Sequence, residues 1–263
     1  MRAIALALAA LLGGVAWAQT KTDENRYTVI TGTGPAVSTP SSRETHVRVW
    51  AIAFPAILAN SSAPLVGLVD TWAVGHLPGA VHLAAVGLGS VIFNFLFWAF
   101  GFLRMGTTGL VAQARGRQDW DELGRVVVRS GVLAVGLGVA LWLLQEPIWR
   151  LSVLALAPPD DVTGLTERYY DLRIWAAPAS LLVFALSGVL FGLGRTTAVL
   201  VLQLALNLCN AVLNVWFVVG LGLGVPGVAL GTVLAQWGAV ALGAWLVLRT
   251  PELVGFRAAL RER

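Results

Sequence analysis

Charge is scarce in this 263-residue chain. Asp, Glu, Lys and Arg together make up 12% of it, about half the ~25% of an ordinary soluble domain. Cysteine is nearly absent. Cys209 stands alone in an apolar run, so there is no internal disulfide and no CxxC or Cys/His cluster to hold a metal. It reads as a buried small hydrophobe. No Ser/His/Asp set and no paired carboxylates emerge, so enzyme chemistry has no support and no cofactor is expected. Gly87-Leu88-Gly89 and the glycines of 220–231 follow no strand, which removes the context of a phosphate loop. The formal charge of +4 does not point to nucleic acid. The arginines are dispersed at the ends of apolar runs, and no basic stretch is interleaved with aromatics.

What is abundant is apolar sequence. Hydrophobic residues make up 57% of the chain, and the mean hydropathy is +0.76. The apolar runs are continuous, without the ten-residue alternation of a membrane barrel, so the class is an all-α membrane protein. About six segments reach the ~20 residues needed to cross a bilayer: 49–75, 81–103, 124–145, 172–193, 197–220 and 226–248. Turn signals separate them at His76-Leu77-Pro78-Gly79 and at Pro226-Gly227. The longest connector, Gln145 to about Asp171, carries Pro147, Pro158, Pro159, Asp160 and Asp161.

Three parts follow. Residues 1–46 hold a signal-like stretch, with Arg2, an apolar run and Ala16-Trp17-Ala18, and then a polar linker read as disordered. Residues 47–248 form the helical block, and 249–263 a basic tail. Arginines set the orientation. Arg43 and Arg48 precede the first span. Arg115, Arg117, Arg125 and Arg129 lie between the second and third, Arg195 between the fourth and fifth, and Arg249, Arg257, Arg261 and Arg263 after the sixth. Both ends of the block are thus expected in the cytoplasm. A cleaved signal would invert this; the arginine bias outweighs it, and the first 46 residues read as an upstream fusion, a wrong start or an unusual extension.

Few polar residues lie inside the spans. Asp70 is the most informative, because a carboxylate at mid-bilayer costs at least ~2.5–3.5 kcal/mol and tends to carry ions or protons. A structural carboxylate paired with a buried Asn is the alternative. Pro55 and Pro64 interrupt the same span, and Ala63 and Gly67 keep its Asp70 face small. In the fifth span Gln203, Asn207, Asn210 and Asn214 recur at steps of four, three and four, which keeps them on one helical face. They serve either as interhelical hydrogen bonds or as the wall of a wet cavity meeting Asp70. Asn94 lines the same cavity or bonds a neighbour. Arg104 snorkels at the end of the second span. His76 and His82 read as solvated, and Trp98, Trp120, Trp142, Trp149 and Trp175 as an interfacial belt.

Several motifs, in order, carry a family resemblance. Pro55-Ala56-Ile57-Leu58-Ala59-Asn60, Gly67-Leu68-Val69-Asp70-Thr71 and Val74-Gly75-His76-Leu77 resemble the first helix of the multidrug and toxic compound extrusion (MATE) family. Ile92-Phe93-Asn94-Phe95, the stretch Gly101 to Gly109 and Ala112-Gln113-Ala114 resemble its DNA-damage-inducible F branch. So do Asn207 to Asn214 and Phe217-Val218-Val219-Gly220.

The resemblance covers about residues 47–263. It implies an alternating-access exporter of the inner membrane that exchanges H⁺ or Na⁺ for a small organic substrate. Asp70 would be the coupling residue with Asn210 and Asn214, and Pro55 the proline at which the first helix bends. Gln203, Asn207 and Asn94 would line the cavity. The branch usually carries an acid where Asn214 stands. The family also has two six-helix lobes, so this block corresponds to the N-terminal one, its partners being the lipid bilayer and a C-terminal lobe, with 249–263 as the start of the inter-lobe linker. The other readings are a transport-dead fragment or assembly partner, and a related flippase for lipid-linked sugars.

Overall fold

The computed structural model describes residues 46, 50, 53, 54, 57, 71–77 and 79–253. Asp70, Pro55, the signal-like stretch, the polar linker, most of the first predicted span and the end of the basic tail lie outside the described residues. After a helical stretch at 71–75, eight α-helices follow one another: α1 (Ala80–Ala99), α2 (Gly101–Gly116), α3 (Trp120–Leu143), α4 (Gln145–Leu156), α5 (Asp160–Arg173), α6 (Ala177–Gly192), α7 (Thr196–Val215) and α8 (Gly224–Leu248). A 3₁₀ turn (Ile174–Ala176) joins α5 to α6, and a π-helical turn (Trp216–Gly220) ends α7. The described residues hold five helical units long and apolar enough to cross a membrane: Ala80–Gly116, Trp120–Leu143, Asp160–Gly192, Thr196–Gly220 and Gly224–Leu248.

The second to sixth predicted spans overrun the ends of these units by at most two residues, but two units are longer than the sequence suggested. Ala80–Gly116 has 37 residues and Asp160–Gly192 has 33. At 1.5 Å per residue each measures about 50–55 Å, well beyond a ~30 Å hydrocarbon core. The expected proline-rich connector is therefore mostly helix. Its prolines stand where a missing N–H costs nothing. Pro147 lies in the first turn of α4. Pro158 and Pro159 fill the break after Ala157, which caps α4 in the left-handed region at φ 42°, and Pro159 is the N-cap of α5. Asp160 and Asp161 then occupy the first turn of α5, facing the positive end of its dipole. At the start of α3 the Asp119 side chain accepts from the Glu122 backbone N–H at 2.8 Å, closing an N-cap.

α6 is the hub, packing against α2, α3 and α8, and most of its residues are buried. Close crossing with α2 depends on Gly188 and Gly192, two glycines four apart on one face. A Cβ on Gly188 would stand 2.7 Å from the Arg104 carbonyl oxygen and 2.9 Å from Thr107 Cβ; one on Gly192 would stand 2.6 Å from Val111 Cβ. At the end of this crossing an Arg115 guanidinium N–H donates to the Leu193 carbonyl at 2.6 Å. Arg195 pairs with Glu252 at 3.0 Å, and Leu253 is buried, so the first residues of the expected linker pack on the bundle.

At the opposite end α1 lies along α5. Phe93 stacks on Tyr170 with centroids 5.3 Å apart. Arg173 sits over the Phe93 ring at 5.0 Å and donates to the Tyr169 hydroxyl. Trp149 is not an interfacial residue: it is buried, 5.3 Å from the Tyr170 ring. Other large apolar side chains, Phe95, Trp98 and Leu154 among them, lie exposed on the outside of the bundle, as lipid-facing residues do.

The α2–α6 crossing is testable. Gly188→Leu should lower thermal stability in detergent, by about 1–3 kcal/mol on the usual scale of overpacking. A melting temperature equal to wild type would mean that the two helices do not meet at this glycine.

Candidate functional site

The polar residues of α7 divide by depth. Asn210 and Asn214 are buried, Asn214 completely, while Gln203 and Asn207 are half-buried on the same face. The face is turned to α8, which runs antiparallel to α7 and packs along it. Asn214 Nδ2 donates to Asn210 Oδ1 at 3.2 Å. Asn210 Nδ2 donates to Thr232 Oγ1 at 3.0 Å, and Thr232 Oγ1 donates to the Val228 carbonyl at 3.0 Å. The donors all point one way, from Asn214 through Asn210 to the α8 backbone. Such a chain satisfies amides that hydrocarbon would leave at high cost.

Gly231 permits it. A Cβ there would stand 2.0 Å from Asn214 Oδ1 and 3.1 Å from the Asn214 backbone nitrogen. The absent side chain lets the Asn214 amide lie directly against the α8 backbone. Thr232 was not singled out by the sequence, being a lone Thr in an apolar run; only its place beside Gly231 and the pairing of α7 with α8 make it visible. Gln236 was also missed. It is one turn beyond Thr232 on α8, and its Oε1 is buried without a hydrogen-bond partner among the described residues. Gln236 thereby extends the polar face of α8 alongside Asn207 and Gln203 of α7.

The other candidates are elsewhere. Asn94 is exposed on α1, beside the buried Phe93, and joins no hydrogen bond to the α7–α8 chain among the described residues. Arg104 is exposed on α2, where the continuous helix places it inside the unit rather than at its end. His76 is exposed and 2.8 Å from the Trp72 carbonyl, whereas His82 is half-buried. Cys209 is exposed, not buried, because it follows Leu208 on the side of α7 away from α8. Among the described residues no group of His, Cys, Asp and Glu could hold a metal ion.

Comparison with known proteins agrees with this architecture. The MatE family model matches residues 55–216. DNA damage-inducible protein F of Escherichia coli is 39% identical over 207 residues, covering 79% of this chain and 45% of its own length. Multidrug and toxin extrusion protein 1 of Homo sapiens is 30% identical, over 71% of this chain and 32% of its own. An outward-facing multidrug resistance MATE family transporter of the MOP superfamily superimposes with a TM-score of 0.70 at 25% identity, over 79% of this chain and 45% of that one. An inward-facing structure of that kind gives 0.67. The chain spans less than half the length of these relatives. With a family model covering well over half of its residues, the chain belongs to the MatE family of multidrug and toxin extrusion transporters.

Proposed function

We propose that this chain is one lobe of a cation-coupled exporter, in which Asp70 carries H⁺ or Na⁺ against the Asn210–Asn214–Thr232 chain. The observation that carries the reading is that buried, directional set of amides and hydroxyl between two apolar helices.

Helix register favours a meeting of this hydrogen-bond chain with Asp70. Val74, Val218 and Val228 belong to one packed cluster. Val74 ends a helical stretch, Val218 lies just past the end of α7, and Val228 lies in the first turns of α8, so all three mark the same end of the bundle. In sequence, Asp70, Asn214 and Thr232 each stand four residues from one of these valines. If the first helix runs on through that spacing, the three polar residues come to one depth, as a cation site inside apolar helices requires.

The chemistry is then direct. Ionised Asp70 accepts hydrogen bonds from amide or hydroxyl donors, or shares a sodium ion with amide and hydroxyl oxygens. Protonated Asp70 is neutral and donates instead. Exchanging one state for the other reverses a donor in the site and removes a charge, so it biases the packing of the first helix, with Pro55 as the bend. Alternating exposure of a small organic substrate follows in the two-lobe protein of the inner membrane, with both ends of the helical block in the cytoplasm and a C-terminal lobe as partner.

Two outcomes test this in the complete two-lobe transporter. Asp70→Asn should abolish efflux driven by a proton or sodium gradient while the protein remains in the membrane at normal level; undiminished gradient-driven efflux sinks the proposal. Thr232→Val removes one hydroxyl of near-equal shape. It should weaken coupling-ion binding about ten- to hundredfold if Thr232 serves the charged site, and it should also cost about 1–3 kcal/mol of stability because the buried Asn210 amide loses its acceptor. An unchanged ion dependence would leave Thr232 as interhelical glue.

A further inference from the structure

A groove of about 260 Å³ runs between α2 and α3, away from the α7–α8 chain. Phe102 and Leu110 of α2 form one wall, Val126 and Leu133 of α3 the other. All but Val126 are well exposed or partly so, which leaves an apolar trough on the outside of the bundle. Its hairpin end is ionic. Arg125 Nε is 2.8 Å from Glu122 Oε2, and Arg129 Nη1 reaches back to Glu122 Oε1 at 3.6 Å. Arg129 and Glu122 both line the groove.

Two guanidiniums share one carboxylate, so the triad keeps one positive charge. The surrounding hairpin adds Arg115 and Arg117 against Asp119 and Asp121, which balance. The side chains of Arg125 and Arg129 stay 52% and 71% exposed. A trough that is apolar along its length and cationic at one end matches an amphiphile with an anionic head.

We propose that this groove binds an anionic phospholipid of the surrounding membrane, its phosphate on Arg129 and Arg125 and one acyl chain along Leu110, Leu133 and Phe102. The acyl chain gains little over bulk lipid, because lipid tails are as apolar as the groove. Selectivity therefore comes from the head. Each arginine near a membrane surface favours an anionic lipid by about fivefold. Planar guanidiniums also match phosphate oxygens in pairs.

Native mass spectrometry of the full 263-residue chain in a neutral detergent tests this, titrating phosphatidylglycerol against phosphatidylethanolamine with the same acyl chains. Phosphatidylglycerol should form adducts at about tenfold lower concentration. Arg129→Gln should cut that preference about fivefold. Leu133→Trp, which fills the trough and keeps the charges, should also reduce adducts. Arg117→Gln, on the same hairpin outside the groove, should change nothing. Equal binding of the two lipids overturns the proposal. So does an equal loss in Arg117→Gln, which would mean general surface charge. Displacement of phosphatidylglycerol by millimolar inorganic phosphate would show a free-anion site instead.

Discussion

The contact between Asn214 and Gly231 is the constraint on which the rest of the site depends. An amide in an apolar helix must find its partners inside the protein. Asn214 does so by lying against the α8 backbone where a Cβ would stand 2.0 Å from its oxygen. That approach fixes the register of α7 on α8. Register in turn places Asn210 opposite Thr232 at 3.0 Å, and the turn above sets Val218 and Val228 in the same cluster as Val74. One missing side chain thus aligns three elements. The same device, on Gly188 and Gly192, seats α2 on the hub helix α6.

Much of this architecture was legible in the sequence because membrane helices obey a simple rule: long apolar runs with arginines at their ends. The polar stripe of α7 was legible for the same reason, since its steps of four, three and four leave one possible face. Its depth was not. Periodicity gives a direction around a helix but not the burial gradient along it, so Asn210 and Asn214, which are buried, could not be told from Gln203 and Asn207, which are half-buried. Thr232 and Gln236 are only two polar positions in an otherwise apolar α8, too few to mark a face, and emerge from pairing with α7. Cys209 shows the converse error: an apolar neighbourhood was read as burial, yet in a membrane helix the apolar side also faces outward.

The connector between the third and fourth predicted spans shows why composition misled. Prolines break helices when they fall in the interior but are neutral in a first turn. Pro147 and Pro159 fall at helix starts, so they punctuate α4 and α5 instead of abolishing them. The aromatic and cationic packing of Phe93, Tyr169, Tyr170 and Arg173 then joins α5 to α1 beyond the length a bilayer needs. Trp149, read as interfacial, belongs to that packed extension.

Asp70 is proposed to work against the α7–α8 hydrogen-bond chain. Infrared difference spectroscopy of the chain in lipid tests it most directly, following the carboxyl stretch of isotope-labelled Asp during a pH step or sodium addition. The account predicts a band that is lost in Asp70→Asn and shifted in frequency and midpoint by Asn214→Leu. A band lost in Asp70→Asn yet unmoved by Asn214→Leu and Thr232→Val would contradict it, placing the carboxylate away from this site.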